Sequence, residues 1–174
     1  MLKNDVVYLR ALEPTDLSFL YQLENNMHLW HISGTQTPYS EYLLKQYLKN
    51  ASQDIYQAQQ LRLAICSLQN ELIGLIDLFD FSPKDKRAGL GIVIAEEKFK
   101  QKGYAYNALK ILIDYCFSVL DLHQLYANIE QDNEASISLF TKLNFELIGV
   151  KKQWNKRGNL YIDEALYQLI NKQH

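Results

Sequence analysis

An apolar run with Val6, Tyr8 and Leu9 opens the chain as a strand, which Glu13-Pro14-Thr15-Asp16 ends. Proline just inside an acidic start predicts a helix next, carrying Leu17, Leu20, Tyr21 and Glu24. Met27 to Tyr39 has no clear period and reads as a lid or substrate wall. Ser40 then caps a second helix with Tyr42, Leu43, Tyr47 and Leu48 expected inward. Two apolar runs, Leu61 to Leu68 and Glu71 to Phe81, flank Gln69-Asn70 and predict an antiparallel hairpin, followed by a third strand from Arg87 to Ile94. At Tyr104 the period changes. Ala105, Ala108, Leu109, Leu112, Cys116 and Leu120 recur at helical spacing through Leu120. Leu125 to Ile129 returns to a strand, Asn133 caps a helix with Ala135, Leu139 and Leu143 on one face, and two long strands close around Lys156-Arg157-Gly158-Asn159.

This order predicts one α/β (α+β) domain over residues 1–174, with a mixed, mostly antiparallel central sheet flanked by helices. The length and the 48% apolar content suffice for a core without metals or disulfides. The 18 basic and 20 acidic side chains nearly cancel, so no overall field favours nucleic acid or an anionic membrane. Cys66 and Cys116 lie unpaired in apolar runs and read as buried thiols, and Met1 to Leu12 lacks the apolar stretch of a signal peptide; we expect a cytoplasmic protein. His28 and His31 lack further ligands, so no metal is expected.

The segment from Glu96 to Ala105 joins a strand to the strongest helix and is rich in cations. Amides at a helix start bind phosphate, Gly103 removes the Cβ that would block close approach, Ala105 keeps the first turn narrow, and Lys100 and Lys102 add charge. On spacing alone a solvated basic turn is an equal reading. Neither G-x-x-x-x-G-K-[ST] nor G-x-G-x-x-G after a strand is present, which disfavours nucleotide-triphosphate and dinucleotide sites.

Lys100 to Ala105 resembles the cofactor loop of the GNAT N-acetyltransferases: Arg or Gln, two residues, Gly, one residue, Gly or Ala. Lysine stands at Lys100 in place of the planar donor. Asn133 to Phe145 resembles the family's second signature, in the family's order. Asp114 to Phe117, Leu125-Tyr126 and Leu9-Arg10 to Asp16 are most similar to the spermidine and ribosomal-protein N-terminal acetyltransferases. The resemblance implies the GNAT fold and acetyl-CoA as co-substrate. It implies contacts to CoA from Ile92, Val93, Ile94, Lys100, Gln101, Lys102, Gly103, Tyr104, Ala105, Asn133, Ser136, Phe140 and Lys142. The strand from Gly91 to Ile94 corresponds to one that splays from its neighbour and lends backbone groups to pantetheine and the oxyanion. Homo-oligomers are common in the family.

The reaction implied is direct acetyl transfer to a primary amine: a protein N-terminus, a polyamine or another small amine. Phe140 stands where the family often has a tyrosine that protonates the departing thiolate, which leaves water, Ser136 or Tyr126 as donors. Asp77 is the candidate base, and strand alternation puts Asp80 on the opposite face, as a surface carboxylate. Many relatives have glutamate in the next strand where this chain has Gly89. Trp30, His31 and Tyr39 lie in the lid, with packing the expected role of Trp30, and the basic turn of Lys151, Lys152, Lys156 and Arg157 reads as a solvated hairpin end. The competing class is a non-catalytic acyl-CoA sensor or partner-binding module.

Overall fold

The apolar runs become strands of one eight-stranded sheet in the computed structural model, which describes residues 2–51 and 53–172; Met1, Ser52, Gln173 and His174 of the expected 1–174 domain lie outside the described residues. The strands are β1 (Leu2–Lys3), β2 (Val7–Ala11), β3 (Leu61–Ser67), β4 (Leu72–Ser82), β5 (Arg87–Ile94), β6 (Gln124–Glu130), β7 (Glu146–Arg157) and β8 (Leu160–Ile170). Their spatial order is β1-β2-β3-β4-β5-β6-β8-β7. All neighbours are antiparallel except β5 and β6, which are parallel because the chain between them crosses over through a helix, α5 (Tyr104–Ser118). The remaining helices are α1 (Leu17–Glu24), α2 (Trp30–Ser33), α3 (Glu41–Asn50), α4 (Ile55–Ala58) and α6 (Glu134–Lys142).

Both faces of the central strands are covered, which is why β3 and β4 read as continuous apolar runs rather than as alternation. Leu63 and Ile65 of β3 join Leu109, Leu112 and Cys116 of α5 in one core, and Phe140 of α6 belongs to it. The intervening Ala64 and Cys66 join Leu75, Leu20 and Leu23 of α1, and Leu44 and Leu48 of α3 in the other. The helix after Ser40 forms, with the Ser40 hydroxyl accepting from the Leu43 amide at 3.2 Å, but its inward face differs from expectation. Tyr42 and Leu43 are exposed while Leu44 is buried, because the helix meets the sheet one residue further round. Tyr21 likewise faces solvent, and Ala135 of α6 is exposed while Phe140 and Leu143 are buried.

Arg10 ties β2 to the start of α1. Its guanidinium donates to both Asp16 oxygens at 2.7 and 2.9 Å, and the Glu13 amide donates to the same carboxylate at 2.8 Å. Burial pushes the Asp16 carboxyl up, but the Arg10 and Glu13 bonds outweigh it and hold Asp16 below the ordinary carboxylate range. Both cysteines are buried, and burial pushes the Cys116 thiol up to about 12, the behaviour of a packing thiol. Among the described residues no helix is long and apolar enough to cross a membrane.

Candidate active site

The parallel ladder between β5 and β6 runs from Arg87↔Gln124 to Gly89↔Tyr126 and stops there, although both strands continue, to Ile94 and Glu130. Beyond Gly89 the two strands splay, so Ile92, Val93 and Ile94 turn a backbone edge toward the gap. Gly74 lets the splayed end lie down on β4: a Cβ there would stand 2.1 Å from the Val93 carbonyl oxygen. The gap opens at the carboxyl ends of two parallel strands, where ligands of α/β sheets bind. The start of α5 follows from one of those ends.

That start is built from backbone. Lys100 is extended, Gln101 and Gly103 have φ of 58° and 81°, and Gly103 occupies the N-cap position. A non-glycine residue in the left-handed region costs of order 1 kcal/mol, and Gln101 bears it. With no side chain at the cap, the first-turn amides of Tyr104, Ala105 and Tyr106 are left for an anion. Lys102 is exposed beside them, and Lys100 pairs with Glu97. The donor set, three amides and a lysine at the mouth of a splay, fits a pyrophosphate. Further along the gap, the Asn133 side chain accepts from the Ser136 amide at 3.1 Å and so caps α6, which leaves its NH2 as the outward group. Lys142 is exposed in the last turn of α6.

On the face covered by α1 and α3, Arg62 of β3 organises a second region. Its Nε and Nη2 donate to the two Asp77 oxygens at 2.6 and 3.3 Å, and its Nη1 donates to Glu24 at 2.7 Å. The guanidinium carbon lies 5.8 Å from the Tyr47 ring centre. Burial alone would loosen the Arg62 proton, but the Asp77 and Glu24 carboxylates more than offset it. Burial also raises the Tyr47 phenol above its usual value, so it stays protonated. Two cavities adjoin here, one of about 210 Å³ against Asp77 and Phe79, the other of about 420 Å³ against Glu24, Tyr39 and Leu44. Tyr47 and Arg62 line both.

Asp77 is therefore half of an ion pair rather than a lone carboxylate. Sequence reasoning missed Arg62 and Glu24 as site residues, although an arginine inside the apolar run of β3 was a signal for a buried partner. The lid adds its own wall: the Trp30 indole donates to the Glu24 carbonyl at 2.8 Å, and the Asn25 side chain exchanges bonds with the Tyr39 backbone at 2.8 and 3.0 Å.

Phe79, Gly89 and Tyr126 lie side by side across β4, β5 and β6. The Phe79 ring covers Gly89 so closely that a Cβ would meet it at 2.2 Å, and it stacks edge-on against Tyr126 at 5.7 Å. Simple alternation fails for Asp80: a bulge between Phe79 and Ser82, with Asp80 at φ 48°, lets its carboxylate accept from the Tyr126 hydroxyl at 2.9 Å. Burial and the Asp80 carboxylate push the Tyr126 phenol up to about 12. Phe140, expected against the cofactor, is 3% exposed and stacks on Phe145 at 5.0 Å, so its ring belongs to the core under α6. Three of the four cations of the basic turn are paired within the chain, Lys151 with Glu164, Lys152 with Asp163, and Arg157 with Glu130 and Asp132.

Residues 7–146 match the family model described as Acetyltransferase (GNAT) domain. The chain belongs to the GNAT acetyltransferases. It is an N-acetyltransferase, and acetyl-CoA is the acyl donor of this family. This GNAT chain is similar to the spermidine N(1)-acetyltransferase of Escherichia coli (strain K12), at 32% identity over 146 residues, 82% of this chain and 74% of the relative. The crystal structure of spermidine N-acetyltransferase from Vibrio cholerae in complex with CoA and spermine superposes with a TM-score of 0.85 at 26% identity, covering 96% of each chain. A dodecameric structure of spermidine N-acetyltransferase from Vibrio cholerae in an intermediate state gives 0.79 at 27% identity, over 96% of this chain and 95% of that one. The expected GNAT fold, with its mixed sheet and flanking helices, is borne out.

Proposed function

We propose that this N-acetyltransferase holds acetyl-CoA in the β5–β6 splay and acetylates a small primary amine seated between Glu24, Tyr47, Arg62 and Asp77. One observation carries the reading: Asp77 pairs with Gly91, two residues beyond the point where β5 leaves β6. The acceptor carboxylate thus stands beside the first part of the strand edge that would hold the thioester. The first-turn amides of α5 would take the pyrophosphate, with Lys102 adding charge and Lys100 at the loop's entry. Ile92, Val93 and Ile94 would line pantetheine, and Asn133, Ser136 and Lys142 would meet it from α6.

The amine nitrogen attacks the thioester carbonyl, the carbon–sulfur bond breaks, and the proton lost by nitrogen ends on the departing thiolate, giving an amide and free CoA. Backbone N–H groups of the splayed strand are placed to stabilise the oxyanion. Asp77, with both oxygens held by Arg62, serves better as an anchor for ammonium than as the proton acceptor. The Tyr126 hydroxyl donates its one proton to Asp80 at 2.9 Å, and burial with that carboxylate raises its pKa, so it is a poor proton donor to the departing thiolate. The cavity of about 420 Å³ beside Glu24 and Arg62 suits a small or linear amine, and polyamines are the class that the relatives' names point to.

Thiol release from acetyl-CoA over a panel of amines and peptides tests this reading. Turnover with small amines is expected. Protection from heat by CoA without thiol release from any amine would favour the sensor reading. We propose also that copies associate through the edge hairpin of β7 and β8, where Leu147, Ile148, Trp154, Leu160 and Tyr161 are exposed. Light scattering on the intact chain and on Trp154→Glu tests it, with a fall in mass expected for the variant and an unchanged mass contradicting it.

A further inference from the structure

We infer that Arg62 is a specificity-determining residue that sets the charge of the acceptor, so that the preferred substrate is a short diamine with one ammonium beyond the reacting nitrogen. The inference rests on the reading of this region as the acceptor site. The charged residues lining the two adjoining cavities are Glu24, Asp77 and Arg62. Two carboxylates against one guanidinium leave a single net negative charge. The lid adds none, since residues 25–40 contain no aspartate, glutamate, lysine or arginine. Nor does position 89 of β5, where the Phe79 ring fills the space over Gly89 that a side chain would need.

Arg62 is held where it is. Its fork spans Asp77 at 2.6 and 3.3 Å and reaches Glu24 at 2.7 Å, so a substrate cation shares these carboxylates with a resident one. An ammonium brought into a partly buried site without a partner charge loses hydration that nothing replaces. A diamine, neutral at the attacking nitrogen and charged at the other end, matches the one unbalanced charge. Spermine, with three further ammoniums, exceeds it. The same guanidinium forms, with Tyr47, the partition between the two cavities, so it limits length as well as charge.

The test is kcat/KM for butylamine, putrescine and spermine in wild type, Arg62→Gln and Arg62→Lys, each checked for folding by thermal melting. Wild type should prefer putrescine. Arg62→Gln should raise the spermine-to-putrescine ratio about tenfold or more by adding one net negative charge, and Arg62→Lys should keep the wild-type order. Should Arg62→Gln not fold, Glu24→Gln serves: it brings the site to neutrality and should lower the putrescine-to-butylamine ratio of kcat/KM about tenfold. A wild-type preference for spermine, or variants that scale all amines equally, overturns the role of Arg62. If no amine is acetylated by wild type, the acceptor-site reading falls and this inference falls with it.

Discussion

The two halves of the candidate site are built from different materials. On the cofactor side, consecutive residues 100–105 make an anion cradle out of main chain: left-handed Gln101 and Gly103, an uncapped helix start, and a strand edge released at Gly89. On the proposed acceptor side, three side chains from three elements, Glu24 of α1, Tyr47 of α3 and Asp77 of β4, converge on the guanidinium of Arg62 from a fourth, β3. A backbone cradle recognises any pyrophosphate, and its chemistry is shared across a family. A side-chain cluster is retuned by one substitution. A backbone-built half is generic to its ligand, while a side-chain-built half is particular to this chain.

Substitutions can break or sharpen that division. Gly74→Ala should act most strongly: the Cβ would meet the Val93 carbonyl at 2.1 Å, and pushing the splayed strand away should cost about 3 kcal/mol in thermal or urea melts and weaken CoA binding with it. Asp16→Asn should cost about 2 kcal/mol near pH 7, and because Asp16 anchors the start of α1, which carries Glu24, it should raise KM for the amine and spare KM for acetyl-CoA. The sign of its pH dependence follows from the lowered Asp16 pKa. Its contribution is fully present above the unfolded value of about 3.9 and is lost as pH falls through the lower folded value, so the gap between the two melting curves should narrow as pH falls below about 3.9.

Gly103→Val, at φ 81°, should raise KM for acetyl-CoA about tenfold by displacing the first-turn amides, with the amine's KM unchanged. The smallest effect should come from Phe140→Tyr. Its ring is enclosed against Phe145, so kcat should change by less than about threefold, and a rise of a hundredfold would return this position to the chemistry.

The sequence was legible where structure is local. The strand from Arg87 to Ile94 and the start of the helix at Tyr104 fall where apolar periodicity put them, because a change of period needs no tertiary partner to be seen. The inward face of α3 was not legible. Tyr42, Leu43, Leu44 and Leu48 are all apolar or amphipathic, and only the sheet decides that Leu44 and Leu48 go in. The acceptor cluster was partly legible. Asp77 stood out as a carboxylate in an apolar strand, but its partners are 15 residues away in β3 and, beyond Arg62, another 38 residues away in α1. Asp80 is exposed, as expected of a surface carboxylate, but its bond to Tyr126 was not legible because a bulge defeats the two-residue period. Gly89, read from sequence as a missing acid, is the space taken by the Phe79 ring.

Whether cofactor and acceptor meet across Asp77 and Gly91 is tested by a crystal structure with CoA and putrescine. The predicted result is pyrophosphate oxygens on the amides of Tyr104, Ala105 and Tyr106, pantetheine along Ile92 to Ile94, and the far ammonium of the diamine between Glu24 and Asp77. CoA bound away from the start of α5, or a diamine bound with no contact to Glu24 or Asp77, would contradict it.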